Sequence, residues 1–101
     1  MGTRIDLQSK LEGILGSKNV YFQPPESVKL VYPCIIYSRA PGRYFRADNG
    51  IHFSRRRYDV TVIHRDPDSD YVERMMSLPY CSYNRRFVAD NLYHDAFELY
   101  Y

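Results

Sequence analysis

The run Cys34-Ile35-Ile36-Tyr37-Ser38 constrains this chain most. Its β-branched and aromatic residues read as a strand. Apolar side chains occupy both parities of the alternation, so both faces of that strand need cover. A chain of 101 residues has little material for the purpose. Surface scaling gives roughly 6,000 Å² exposed when folded against roughly 17,000 Å² unfolded. That is enough for one modest core, and residues 1–101 read as a single domain.

Other elements follow from periodicity. Residues 3–15 read as a helix, with Thr3 as N-cap and Asp6 three positions on. Leu7, Leu11, Ile14 and Leu15 form one apolar stripe, and Gly16 is placed to end the helix. Residues 19–23 read as a strand stopped by Pro24-Pro25, and 28–32 as extended because Pro33 disfavours helix before it. Residues 39–50 carry Pro41-Gly42 and Asp48-Asn49-Gly50, turn signals at both ends of an Arg-rich excursion that reads as a hairpin tip. A long strand is expected over 51–64, with Tyr58, Val60 and Val62 on one face and Asp59, Thr61 and Ile63 on the other.

Residues 66–70 are acidic and read as the opening of a second helix that ends near Leu78-Pro79, with Tyr71, Met75 and Leu78 as its stripe. The same run lacks the Gly and Glu that an EF-hand calcium loop needs. Residues 81–89 and 92–101 read as a hairpin turning on Asp90-Asn91. A two-residue loop sets Arg86 opposite Asp95 and Arg85 diagonal to Glu98. It also puts Tyr93, Phe97 and Leu99 on one face and Tyr83, Phe87 and Ala96 on the other. The order is α-β-β-β-α-β-β, an α+β plan: a small antiparallel or mixed β-sheet with two α-helices on one face.

Chemistry-bearing motifs are missing. Cys34, Cys81, His52, His64 and His94 form no metal-ligand spacing, and buried thiols and ordinary strand histidines are the plain reading. No Gly-rich phosphate loop, nucleophile elbow or paired-carboxylate frame occurs. The expectation is therefore no catalytic residue, no metal and no cofactor. Two cysteines make no disulfide framework, no N-terminal apolar core suggests a secretory signal, and no apolar run approaches the ~18 residues of a membrane span.

Composition carries a different signal. Tyrosine occurs 11 times, and of 14 basic residues only three are Lys. Tyr and Arg are enriched in protein interfaces and Lys is depleted there. Arg39, Arg43, Arg46, Arg55, Arg56, Arg57, Arg85 and Arg86 flank Tyr44, Phe45, Phe53, Tyr58 and Phe87. Three readings stay open: nucleic-acid binding, a protein interface, or a solvated surface paired to Asp59, Asp95 and Glu98. A net charge of +2 favours the last two.

Several stretches resemble a known family: Val20-Tyr21-Phe22-Gln23-Pro24-Pro25, Tyr32-Pro33-Cys34-Ile35-Ile36-Tyr37, Val60-Thr61-Val62-Ile63-His64-Arg65-Asp66-Pro67-Asp68-Ser69, Leu78-Pro79-Tyr80-Cys81-Ser82 and Ala89-Asp90-Asn91-Leu92-Tyr93-His94-Asp95. Together they resemble the neck and tail-completion (tail terminator) proteins of long-tailed bacteriophages. The resemblance implies a virion structural protein, assembled in the host cytoplasm into a homo-hexameric ring. Such a ring caps the tail tube and joins it to the head connector. Its partners would be its own copies, the tail tube protein and a head-completion or connector protein, with phage DNA passing nearby. A head-completion (stopper) ring of the same neck and a small nucleic-acid-binding module using the Arg/aromatic tip are the alternatives. An enzyme built on Cys81 or His64 stands behind both.

Two helices can cover only one side of the sheet, so an apolar patch is expected on the other, of the kind that marks a binding surface and that a head-to-tail ring would cover. Glu98-Leu99-Tyr100-Tyr101 reads as docked rather than frayed. Phe97, Leu99 and Tyr101 should share one face and Tyr100 the other. The expected interface residues are Arg39, Arg43, Tyr44, Arg46, Arg55, Arg56, Arg57, Arg85, Leu99, Tyr100 and Tyr101.

Overall fold

A computed structural model describes residues 3–40, 45–47, 50–52 and 56–101, with 45–47 and 50–52 as backbone only. The first helix, α1, spans Arg4–Leu15. Thr3 Oγ1 accepts the Asp6 N–H at 3.1 Å, and Gly16 at φ 81° donates its N–H to Glu12. The cap and the terminator are thus the residues that their chemistry suggests. Leu7, Leu11 and Leu15 are buried and Ile14 packs at their edge.

Strand β1, Val20–Phe22, pairs in parallel with β2, Cys34–Arg39, with Val20 facing Ile35. A parallel pair needs a crossover, and here residues 23–33 supply it without forming a helix or strand. Residues 28–32, expected to be extended, therefore lie outside the sheet. Three prolines in the segment, Pro24, Pro25 and Pro33, remove donors that a ladder would need.

Past β2, strands β3 (Phe45–Ala47) and β4 (Gly50–His52) form a two-stranded antiparallel sheet of their own, with Arg46 facing Ile51. The expected strand over 51–64 is thus divided between two sheets, since β5 begins only at Arg57 and runs to His64. The second helix, α2, spans Tyr71–Met76 and is shorter than the expected 66–78. Local bonds capture the acidic run first: Asp68 N–H donates to Asp66 Oδ1 at 2.9 Å and Ser69 N–H to the Asp66 carbonyl at 3.2 Å. Asp side chains that bond nearby backbone in this way compete with helix.

Strands β6 (Cys81–Ala89) and β7 (Leu92–Tyr100) form the final hairpin. Asp90 and Asn91, at φ 53° and 61°, make the two-residue turn with both central residues left-handed. Arg86 faces Asp95 as expected, but the ladder slips by one residue at Asn84, so Tyr83 faces Phe97. Tyr83 therefore lies on the same side as Phe97, not on the side of Phe87 and Ala96. The slip serves the core. Strict alternation from Arg86 would turn Ser82 and Asn84 toward the helices and Cys81 and Tyr83 away; a one-residue bulge exchanges them.

The main sheet runs β1-β2-β5-β7-β6, mixed, with both helices on one face. Between sheet and helices lie Ile35, Tyr37, Tyr58, Val60, Val62, Phe97 and Leu99 against Leu7, Leu11, Leu15 and Met75. On the second face, the crossover folds Leu30 and Tyr32 over Cys34, Ile63 and Leu92, which are buried. The chain itself thus covers one end of that face, and the apolar patch expected there is correspondingly smaller. Farther along it, Ser38, Asp59, Glu98 and Ser82 make a polar cross-strand row.

Candidate interaction surface

The expected interface residues divide into three places. Arg39, Arg56, Arg57, Tyr100 and Tyr101 gather at the end of the sheet where β2 and β5 lead into the β3–β4 arm. Arg39 is exposed, and its backbone N–H donates to Gln23 Oε1 at 3.2 Å. Arg56 and Tyr101 exchange two backbone hydrogen bonds, at 3.1 and 2.9 Å, which tie down the residue after β7. Arg57 reaches Glu98 at 2.7 Å and Asp59 at 3.4 Å, so its charge is met within the chain. Half-exposed pairs of this kind contribute about 0–1 kcal/mol. Tyr100 lies half-buried on the second face, and Tyr101 lies on the helix side with the Lys10 ammonium 5.6 Å from its ring.

Arg85 stands apart, on the edge strand β6. Its guanidinium sits 5.0 Å from the Phe87 ring, and Phe87 stacks on His94 across the ladder at 4.7 Å with 16° between planes. Glu98, its expected diagonal partner, is held by Arg57 instead. Leu99 is fully buried in the core and presents nothing to a partner. Arg46 lies in β3, where only its backbone is described, and Arg43, Tyr44 and Arg55 fall outside the described residues, as do Asp48-Asn49.

Strand β6 adds surface beyond Arg85, the one residue of it expected at the interface. It is a nine-residue edge strand with exposed Tyr83, Phe87 and Val88, preceded by exposed Tyr80. Open edges invite another strand. The bulge at Asn84 and the charges of Arg85 and Arg86 blunt this one. On the helix side, α1 and α2 border an open groove of about 600 Å³ lined by Ile14, Leu78, Lys10, Glu73 and Arg74.

Sequence reasoning also missed a buried polar cluster. Asp95 has no solvent exposure and His64 only 1%. One carboxylate oxygen of Asp95 accepts from Tyr83 Oη and Arg86 Nε, both at 2.8 Å; the other accepts from His64 Nε2 at 2.8 Å and Arg86 Nη2 at 3.1 Å. Burial pushes this carboxyl's pKa up, but hydrogen bonds from Arg86, His64 and Tyr83 outweigh it and hold the pKa below the usual aspartate value. Tyr83 is raised by burial and by the bond to Asp95. The signal was present in the alternation. His64 continues the parity of Tyr58, Val60 and Val62, and Asp95 that of Phe97 and Leu99, so two polar groups fall on the core face and must meet each other.

The cluster holds strands together; among the described residues neither cysteine stands beside it. Cys34 is on the opposite face, and Cys81 shares a row with Tyr58 and Leu99, six positions along β5 from His64, or ~20 Å away. Burial pushes both thiols up to about 11, which leaves them protonated at neutral pH. Among the described residues no three His, Cys, Asp or Glu side chains converge as metal ligands would. No described helix is long and apolar enough to cross a membrane. No protein-family model, curated protein or solved structure matches the chain.

Proposed function

We propose that the chain is a ring-forming structural protein of a phage neck, capping the tail tube and joining it to the head connector as a tail terminator. The observation that carries the reading is the β3–β4 arm, a second small sheet that among the described residues pairs with no strand of the main one and lies in sequence between Arg39 and Arg57. A separate two-stranded sheet of this kind offers a neighbour open backbone edges to pair with. Head-to-tail contacts, which join two different patches, close into rings when the rotation permits. The exposed residues of β6 offer a second patch, at the sheet edge beyond β7. The sequence resemblance supplies the setting: virion neck, tail tube and connector as partners, and assembly in the host cytoplasm.

Mass in solution tests the reading most directly. A ring of defined stoichiometry, by native mass spectrometry or light scattering, together with binding to assembled tail tubes, is the expected result. A chain that stays monomeric at high concentration and ignores tail tubes would exclude it. Binding to the connector alone would favour the head-completion ring. A second reading, a nucleic-acid module, draws on the exposed Arg85–Phe87–His94 stack. It requires affinity that falls steeply with salt.

A further inference from the structure

We propose that His64 is a protonation-controlled latch that holds the 65–70 turn, and with it the start of α2, onto the sheet.

The geometry fixes the neutral ring's tautomer. An ionised carboxylate only accepts hydrogen bonds, so the His64 nitrogen 2.8 Å from Asp95 Oδ2, Nε2, carries the proton. The other nitrogen, Nδ1, then has a free lone pair, and it accepts the backbone N–H of Asp66 at 3.3 Å. Neutral His64 thus bridges β7 and the turn, with one donor and one acceptor both satisfied.

A second proton, taken from solvent, goes to Nδ1 and turns that acceptor into a donor. Nδ1–H and the Asp66 N–H then point at each other, and two donors cannot share a bond. The bond to Asp95 survives protonation and gains charge, so the side that yields is the turn. The turn is self-bonded through Asp66 Oδ1 to the Asp68 N–H and through the Asp66 carbonyl to the Ser69 N–H. Rotating the Asp66 peptide disturbs both. The turn also carries Asp66, Asp68 and Asp70, whose negative charge suits an imidazolium.

Every element around the ring takes part. From β7 come Asp95 and Tyr93, whose ring lies 5.7 Å from that of His64. From α2 comes Tyr71 at 5.2 Å, with the Arg74 guanidinium 5.6 Å from the Tyr71 ring. From β6, Arg86 and Tyr83 reach the same Asp95 carboxylate. Arg86 opposes the second positive charge; Asp95 favours it. Release of the turn reaches α2 through Asp70, which precedes Tyr71 and pairs with Arg74 at 3.0 Å. Because α2 forms one wall of the α1–α2 groove, acidification would alter that surface while leaving the sheet in place.

The test is a pH titration of the full chain labelled with 15N, from about pH 8 down to about pH 5. The expected starting state is the Nε2–H tautomer. On acidification Nδ1 should take the proton, and the amides of Asp66, Asp68 and Ser69 should shift with the same midpoint. Protection of the Asp66 amide, taken relative to its intrinsic exchange rate at each pH, should fall about tenfold. The Asp66→Asn variant keeps the amide and the local acceptor but removes the carboxylate, and it should give the same coupled transition. A His64→Gln variant retains a donor and an acceptor on one side chain, and it should abolish the transition. Any of four results overturns the proposal: an Nδ1–H tautomer near pH 8, a ring that does not titrate before the chain unfolds, ring titration with silent turn amides, or amide shifts that vanish in Asp66→Asn. If His64→Gln does not fold, the wild-type and Asp66→Asn titrations decide alone.

Discussion

Arg86 and Asp95 face each other across the β6–β7 ladder, and the guanidinium grips both oxygens of a carboxylate that has no exposure to water. The arrangement turns a surface-looking cross-strand pair into a structural clamp on the edge strand. Arg86→Met would keep much of the side chain's packing and leave Asp95 charged, with only His64 and Tyr83 as partners. Hydrogen bonds to charged groups are worth about 1.5–3 kcal/mol each, and unpairing a buried charge costs more. Because the Arg86 side chain is partly exposed, the loss should be about 2–3 kcal/mol. Urea denaturation checks this: the midpoint should fall with the slope unchanged.

The same carboxylate shapes stability in acid. Its folded pKa lies below the ordinary 3.8, so the unfolded chain binds the proton first as pH drops. The stabilisation is whole above about pH 5 and disappears as pH falls through the folded value. In alkali the sign reverses. The Cys34 thiol moves from 9.0 to about 11, so the unfolded chain loses its proton first and stability falls as pH rises across that interval. Tyr83 adds to the decline above 10.0. Cys81 contributes over the same interval, so Cys34→Ala should reduce the slope between 9.0 and about 11 without abolishing it, and melting curves at pH 8 to 11 would show whether it does.

Asn84 is the extra residue in β6. Tyr83 faces Phe97 and Arg85 faces Ala96, adjacent positions on β7, so Asn84 has no partner. Deleting it should leave every other pairing intact, including Tyr83 Oη to Asp95 at 2.8 Å. The expected variant is folded, within about 1 kcal/mol of wild type. It would also carry a regular, flatter edge more prone to self-association. Light scattering and a melting curve test both halves. A variant that lost the Tyr83–Asp95 bond would show that Asn84 itself sets the register.

How far the fold was legible depended on whether a signal was local. The α1 cap and stop, the Asp90-Asn91 turn and the Arg86–Asp95 register follow from residue types at short range, and these the sequence carried openly. The bulge at Asn84 was hidden because turn geometry and core patterning demand different registers in β6, and only both together reveal it. The short α2 was hidden because Asp66 and Asp68 suit a helix start and a side-chain-bonded turn equally well. The cover over Cys34 and Ile63 was hidden because a crossover without secondary structure has no period to read. For the interface, the sequence marked Arg57 and Leu99 by type, yet Glu98 neutralises one and the core takes the other. Charge and hydrophobicity do not say which partner a side chain finds within its own chain.

The end of β7 bears directly on stability. Leu99 is fully buried between Tyr58 and Cys81, and Tyr101 exchanges two backbone hydrogen bonds with Arg56. Leu-to-Ala changes at such sites cost about 2–5 kcal/mol. Removing residues 99–101 deletes that side chain, its ladder bonds and the contact over Arg56. The whole domain has only ~5–15 kcal/mol to lose. The truncated chain should therefore be mostly unfolded or melt far lower, while Tyr100→Ala, at a half-buried position on the second face, should cost about 1 kcal/mol. Circular dichroism melts would expose the opposite case, a truncated chain as stable as the full one.

The arm should behave in the reverse manner. Among the described residues, strands β3 and β4 pair with each other and with no strand of the five-stranded sheet, so that sheet does not depend on them for backbone pairing. Reversing charge at Arg43, Arg46 and Arg55 together should leave the melting temperature within a few degrees of wild type, as surface changes do. In the proposed ring, assembly is what should suffer. Acidic side chains in place of these Arg would weaken every copy of the contact proposed for them, and a closed ring needs all of its contacts at once. The folded variant should therefore run as a smaller species by native mass spectrometry at concentrations where the wild type is assembled. Wild-type assembly by the variant would place the contact elsewhere, with the exposed edge of β6 the next surface to change. An unfolded variant would make the arm part of what holds the domain together.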